Sequence, residues 1–179
     1  MPLDIPAIRA QFPILSQKIG VHPLTYLDNA ASMQKPRTVL DVMRDFYERD
    51  NANINRGVHP LAERATTAYD GARKTVAGFV GTKHAHEIVF TKNCTEAINL
   101  VARSYGSMLK KGDVVVLSVL EHHSNIVPWL QLQAERGVEI EWIGIDESGQ
   151  LKLGELQKLL KTKNVKLVSV TGLSNVLGT

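Results

Sequence analysis

Two adjacent histidines in the run Glu121-His122-His123-Ser124-Asn125 are the residues of this chain best suited to chemistry. An imidazole ionises near neutrality, so it can take or give a proton at ordinary pH, and its flat ring can stack on a planar ligand. Core packing calls for no such pair. The run follows the apolar segment Val114-Val115-Val116-Leu117 and precedes a helix-like stretch beginning near Ile126. A loop at the carboxyl end of a buried strand is where open α/β sheets collect their ligands. A metal centre is the rival reading of Glu121, His122 and His123. Adjacent side chains point apart, however, and no further His or Cys stands at ligand spacing, so no metal is expected. The pair His84/His86 falls in a polar turn and is expected to face solvent.

Two other loops add to this one. In Thr91-Lys92-Asn93-Cys94-Thr95-Glu96-Ala97, Thr95 reads as the N-cap of a helix that follows a strand. Such a helix start aims free N–H groups and a positive dipole end at an anion, and a hydroxyl plus amides is what a phosphate needs. An ordinary capped helix explains that loop equally well by itself. The chain has no G-x-x-x-x-G-K-[ST], which excludes the NTPase P-loop. Asn175 offers both a donor and an acceptor, although alone it would pass for a turn residue. Together, three strand-to-helix loops supply a phosphate cup, an imidazole and an amide, and they should converge on one side of a sheet.

The elements that must position these loops are legible in the hydrophobic periodicity. Asp4 before Ile5-Pro6 opens a short helix ending before Pro13. Tyr26-Leu27 leads into the small-residue loop Asp28-Asn29-Ala30-Ala31-Ser32. A helix follows from about 37 to 49, then the polar loop 51–60, then a longer helix carrying Leu61, Ala65, Ala68, Ala72, Val76 and Phe79. Four β-branched runs, at about 87–91, 113–118, 138–143 and 165–170, alternate with helices at about 95–109, 125–136 and 153–162. That alternation predicts an α/β fold with a mainly parallel sheet and helices on both faces. No linker divides the chain, so 1–179 reads as a single partial domain: N-terminal helices over 1–86 and the first strands and helices of a larger domain over 87–179. A parallel sheet usually has more than four strands, so the domain is expected to be incomplete.

Composition narrows the function class. The net charge of +3, from 21 basic and 18 acidic residues, argues against nucleic acid as a partner. Lys158, Lys161, Lys163 and Lys166 cluster late, but lysines at a helix end suit its dipole and read as a solvated face. No stretch approaches the roughly 18 apolar residues of a membrane span, and residues 1–15 lack the form of a secretion signal. The single cysteine, Cys94, excludes an internal disulfide framework, and a cytoplasmic location is the default.

The motifs resemble those of aminotransferase class V enzymes, which have pyridoxal phosphate (PLP) fold type I, and within them the SufS/CsdA-type (group II) cysteine desulfurases. The resemblance runs through Tyr26-Leu27-Asp28-Asn29-Ala30-Ala31, Asn55-Arg56-Gly57-Val58-His59, Thr95-Glu96-Ala97-Ile98-Asn99, Glu121 to Trp129 and Ser174 to Gly178. The Arg-Gly-Val-His and Glu-His-His-Ser-Asn blocks are the more selective ones. It implies an N-terminal part of the fold type I large domain, with the rest of that domain and a C-terminal small domain lying beyond. It also implies PLP as cofactor, with Thr95 and Glu96 on its phosphate side. His123 would stack on the ring and act as acid/base, and Asn175 would contact the cofactor oxygen or substrate. Asn29, Ala30, Ala31 and Arg56 would lie on the substrate side, and the 51–60 loop near a homodimer interface. Asn55 stands where relatives often have histidine, and Cys94 where they often have threonine or serine. The implied reaction is L-cysteine to L-alanine, with sulfur passed as a persulfide to an acceptor protein for iron–sulfur assembly. Alternatives are a selenocysteine lyase acting on L-selenocysteine, an aminotransferase, or a non-catalytic fragment. In this family the Schiff-base lysine, the acid facing the ring nitrogen and the nucleophilic cysteine all follow the Asn175 loop. These 179 residues alone are therefore expected to be inactive.

Overall fold

A computed structural model describes residues 2–179, which divide between Val89 and Phe90 into two compact units. The first unit is mostly helical. Helix α1 (Ile5–Ala10) starts as predicted, with Asp4 accepting from Ala7 N. Arg9 then donates to Leu15 O at 3.1 Å and Leu24 O at 2.6 Å, tying α1 to the chain that follows. Between these carbonyls lies a small antiparallel hairpin, β1 (Lys18–Ile19) and β2 (His22–Pro23), turned at Gly20 with φ +62°. Helix α2 (Arg37–Arg49) has the predicted bounds. Helix α3 (Pro60–Val80) begins at His59, whose ring accepts from Ala62 N, and stops at Gly81 in the left-handed conformation. Arg64 joins the two helices through Asp50 and Arg49 O.

The second unit carries the sheet. Helix α4 (Cys94–Ser104) leads through a 3-10 turn, Tyr105–Met108, into β3 (Val114–Ser118), and α5 (Val127–Arg136) leads into β4 (Glu139–Ile143). Helix α6 (Leu153–Thr162) then precedes β5 (Val165–Ser169). The sheet is parallel, ordered β4-β3-β5. Every residue of β3 is buried, which is why its apolar run is continuous rather than alternating. Side chains of a strand point alternately to its two faces. Val115 and Leu117 join Ala102, Leu109, Trp129 and Leu132 on the α4/α5 side, while Val114 and Val116 meet Leu156 and Leu159 of α6 on the other. The α/β class, the parallel sheet and the helices on both faces are therefore as predicted.

One strand is a correction. Residues 87–91 were expected to form the first strand, but Glu87 ends a 3-10 turn and the run that follows belongs to no strand of the described residues. A β-branched run favours extended backbone, yet a strand exists only where a neighbour completes its ladder. The late lysines behave as a solvated face. Lys163 pairs with Glu141 at 3.3 Å and Glu139 at 3.6 Å, and the Glu141 hydrogen bond raises its pKa.

Candidate functional site

The histidine loop leaves β3 at its carboxyl end and is held by a dense polar network. Ser118, fully buried, donates to Glu121 Oε1, and the same oxygen accepts from Thr171 N at 2.8 Å. Glu121 Oε2 accepts from Asn125 Nδ2 at 2.7 Å. Asn125 also donates to Ser169 O at 3.1 Å, and its Oδ1 accepts from Ser169 Oγ at 2.6 Å and Trp129 Nε1 at 2.9 Å. A buried network is favourable only when every member is paired, and here the carboxylate, the amide and the indole all are. Both oxygens of the Glu121 carboxylate are thus engaged by protein donors. No cluster of three or more His, Cys, Asp or Glu in ligating geometry occurs among the described residues.

The two histidines divide their roles. His122 accepts from Ser124 N at 3.2 Å and lies 3.0 Å from Ser124 Oγ, so its Nδ1 caps the short 3-10 turn His123–Asn125. His123 is exposed, its ring makes no hydrogen bond among the described residues, and it meets the His122 ring edge-on at 5.3 Å. Both its nitrogens remain available.

The phosphate-cup loop requires a correction. The N-cap of α4 is Asn93, not Thr95: Asn93 is extended and its side chain accepts from Glu96 N at 2.9 Å. Glu96 reaches back to Lys92 N at 2.6 Å, so its carboxylate serves the helix start. Asn93 followed three residues on by a glutamate is a capping-box pattern, readable from the sequence. The shift of two positions leaves Cys94 and Thr95 in the first turn. Among the described residues, their backbone N–H groups and the Thr95 hydroxyl have no partner. Two amides, a hydroxyl and the dipole end make a site an oxyanion can occupy.

The loop after β5 closes on itself. The buried Ser174 Oγ accepts from Leu177 N at 3.1 Å and Val176 N at 3.3 Å, which leaves Asn175 exposed at the tip. Because β3 and β5 are parallel, this loop and the histidine loop leave the same edge of the sheet, and the Thr171 N–Glu121 bond joins them. Helix α4, which carries Thr95, packs against the 3-10 turn of His123. A cleft of about 250 Å³ lined by Leu120, Leu151, Thr171 and Gly172 opens at this edge.

Asn29, Ala30, Ala31 and Arg56 belong to the first unit. Tyr26 OH bonds Ser32 O at 2.6 Å and Asp28 O at 3.1 Å, holding the exposed turn that contains Asn29, Ala30 and Ala31. Asn29 also lines a cavity of about 580 Å³ with Arg9, Phe12, Tyr26 and Met33. Arg56 is exposed and lines a second cavity, of about 390 Å³, with Asn51, Asn53, Gly57 and His59. Asn55 has φ +60°, a conformation in which asparagine and histidine are both enriched, so its exchange for histidine is conformationally neutral.

Gly57 makes the close approach in this loop. A Cβ there would sit 2.3 Å from Ala62 Cβ, on a fully buried residue of α3. Gly57→Ala should therefore destabilise the intact protein by about 1–3 kcal/mol in urea unfolding, the usual cost of overpacking. Adding Ala62→Gly should recover part of that loss. A single variant as stable as the parent would show that the loop does not rest on α3.

Residues 25–179 match the model of the aminotransferase class-V family. The chain belongs to that family. It is 49% identical over 181 residues to a probable cysteine desulfurase of Synechocystis sp., covering 98% of this chain and 43% of that protein. An apo cysteine desulfurase from Thermococcus onnurineus superposes with a TM-score of 0.87 at 39% identity, over 99% of this chain and 42% of that one. The cysteine desulfurase CsdA from Escherichia coli, in an S-sulfonic acid form, gives 0.82 at 31% identity, over all of this chain and 44% of that one. The family member thus spans less than half the length of each of these relatives, and over that span it has the fold of the two solved ones.

Proposed function

We propose that the intact protein is a PLP-dependent cysteine desulfurase, converting L-cysteine to L-alanine and passing the sulfur as a persulfide to an acceptor protein. One observation supports it most: the parallel sheet sets an uncommitted imidazole, His123, on a clamped loop at the edge where Asn175 emerges, beside the helix that starts with free amides. The residues present fit the cofactor. The Cys94 and Thr95 amides and the Thr95 hydroxyl are the phosphate donors, and the exposed His123 ring is the stacking surface. PLP supplies, when bound, the electron withdrawal that amino-acid chemistry at Cα and Cβ requires. His123 holds or delivers the proton at the reacting carbon. Asn175 offers an amide to a phenolic oxygen or a substrate carboxylate, and Glu96 acts by keeping the helix start in shape. Asn29, Ala30, Ala31 and Arg56 are assigned to the substrate side, where the Arg56 guanidinium suits a carboxylate. Activity requires a homodimer on this reading, and its site of action is the cytoplasm; no helix among the described residues is long and apolar enough to cross a membrane.

The cup is tested by cofactor affinity. Thr95→Val in the intact protein should weaken PLP binding by roughly 1–3 kcal/mol, because a charge-assisted hydrogen bond to the phosphate is lost. Unchanged affinity in a titration would move the phosphate elsewhere. Alanine formation from cysteine by the intact protein, dependent on added PLP, tests the reaction itself.

A further inference from the structure

We propose that Glu121 is a positioning residue that fixes the His123 imidazole against the segment bearing Asn175. The inference rests on the desulfurase reading for its consequence in turnover, but the clamp is a property of the fold. Neither His123 nor Asn175 is held by its own side chain: both are exposed, and neither makes a side-chain hydrogen bond among the described residues. Their placement depends on the two loops, and Glu121 is where those loops meet. Its carboxylate takes one donor from the end of β3 (Ser118 Oγ), one from the histidine loop (Asn125 Nδ2) and one from the residue just beyond β5 (Thr171 N).

Only a carboxylate satisfies this arrangement. Thr171 N–H is a backbone donor and cannot reverse. Asn125 cannot flip its amide, because its oxygen accepts from the donor-only Trp129 Nε1 at 2.9 Å. A glutamine at 121 has the same length but only one acceptor oxygen. With that oxygen on Thr171 N, its NH2 faces the NH2 of Asn125; with the oxygen on Asn125, its NH2 faces the Thr171 amide. Either way one bond becomes a donor–donor contact: the first rotamer unseats Asn125 within the histidine loop, and the second breaks the tie to Thr171.

The test uses the intact protein carrying Glu121→Ala, which removes both acceptor oxygens, alone and with His123→Ala. In the cofactor-free form, hydrogen exchange at the Thr171 amide should speed up by about 10-fold or more, since its acceptor is lost. In the PLP-loaded form, kcat should fall by about 10-fold or more with KM for cysteine nearly unchanged, the signature of an interaction lost in the transition state. In the His123→Ala background the same substitution should leave kcat within about 2-fold, because a residue acting through His123 has nothing left to position. An equal loss of kcat in both backgrounds, or unchanged exchange at Thr171, overturns the proposal. If Glu121→Ala does not fold, Ser118→Ala removes one donor to the same carboxylate and is judged by the two kcat comparisons at smaller amplitude. A parent protein that makes no alanine from cysteine would sink the desulfurase reading, and the Thr171 exchange would still decide on the clamp.

Discussion

His123→Ala in the intact protein is expected to lower cysteine desulfurase turnover by about 10²–10⁴-fold, the usual worth of a positioned acid/base. Bound PLP should persist, because the phosphate donors proposed above, the Cys94 and Thr95 amides and the Thr95 hydroxyl, lie on the other loop. The loop itself should also persist. The His123 imidazole donates and accepts nothing among the described residues, while the network through Glu121 and Asn125 keeps its bonds. The loss therefore reports chemistry and not unfolding. His122→Ala is the contrast, for it removes the acceptor of Ser124 N at 3.2 Å, a cap rather than a reactive group. Its effect should appear mainly in stability, by about 0.5–2 kcal/mol. A His123→Ala protein with near-parental turnover would remove the imidazole from the mechanism, as would a His122→Ala protein with the larger kinetic defect.

How far the sequence carried this reading depended on the range of the forces at each element. Val114 to Leu117 announced a strand buried on both faces because nothing but a central position tolerates that run. The bounds of α2 and α6 were legible because periodicity and termini agree locally. The hairpin at Lys18–Pro23 was not predicted, since two-residue strands show no period, although Gly20 marked the turn. At the phosphate cup the helix was legible and its cap was misplaced by two residues. The stronger signal, Asn93 with Glu96 three positions on, was present. Residues 87–91 have the composition of a strand, but pairing is a property of a neighbour and not of the run. The polar network was the least legible part. Ser169 and Thr171 lie 44 and 50 residues from the side chains they meet, and no spacing rule joins them to Asn125 and Glu121. Glu121 and Asn125 were noticed as part of a motif, while what they hold became visible only in the fold.

Asn125→Ala is expected to destabilise the intact protein by about 2–4 kcal/mol, because it strands several buried groups at once. Asn125 is only 8% exposed, and its side chain is the acceptor for Trp129 Nε1 and Ser169 Oγ and the donor to Glu121 Oε2 and Ser169 O. Trp129 is deeper still, at 1% exposure, so water does not readily replace the lost acceptor. Alanine at this position adds no second carboxylate, so its deficit should vary less with pH than that of the aspartate. Asn125→Asp separates the donor from the acceptor function. It preserves an acceptor for the indole but sets a second carboxylate where Asn125 Nδ2 now lies, 2.7 Å from Glu121 Oε2. Two carboxylates that close cannot both ionise cheaply, so the folded-state pKa of the pair is raised above its unfolded value. The sign follows: the folded protein binds more protons than the unfolded one, so the Asn125→Asp deficit is largest at neutral and alkaline pH and shrinks as the pH falls through the raised pKa. Urea unfolding of the parent and both variants at pH 8 and pH 5.5 distinguishes the cases. Parental stability of Asn125→Asp at pH 8 would mean that Asn125 and Glu121 do not meet as described, and the clamp beneath His123 would have to be redrawn.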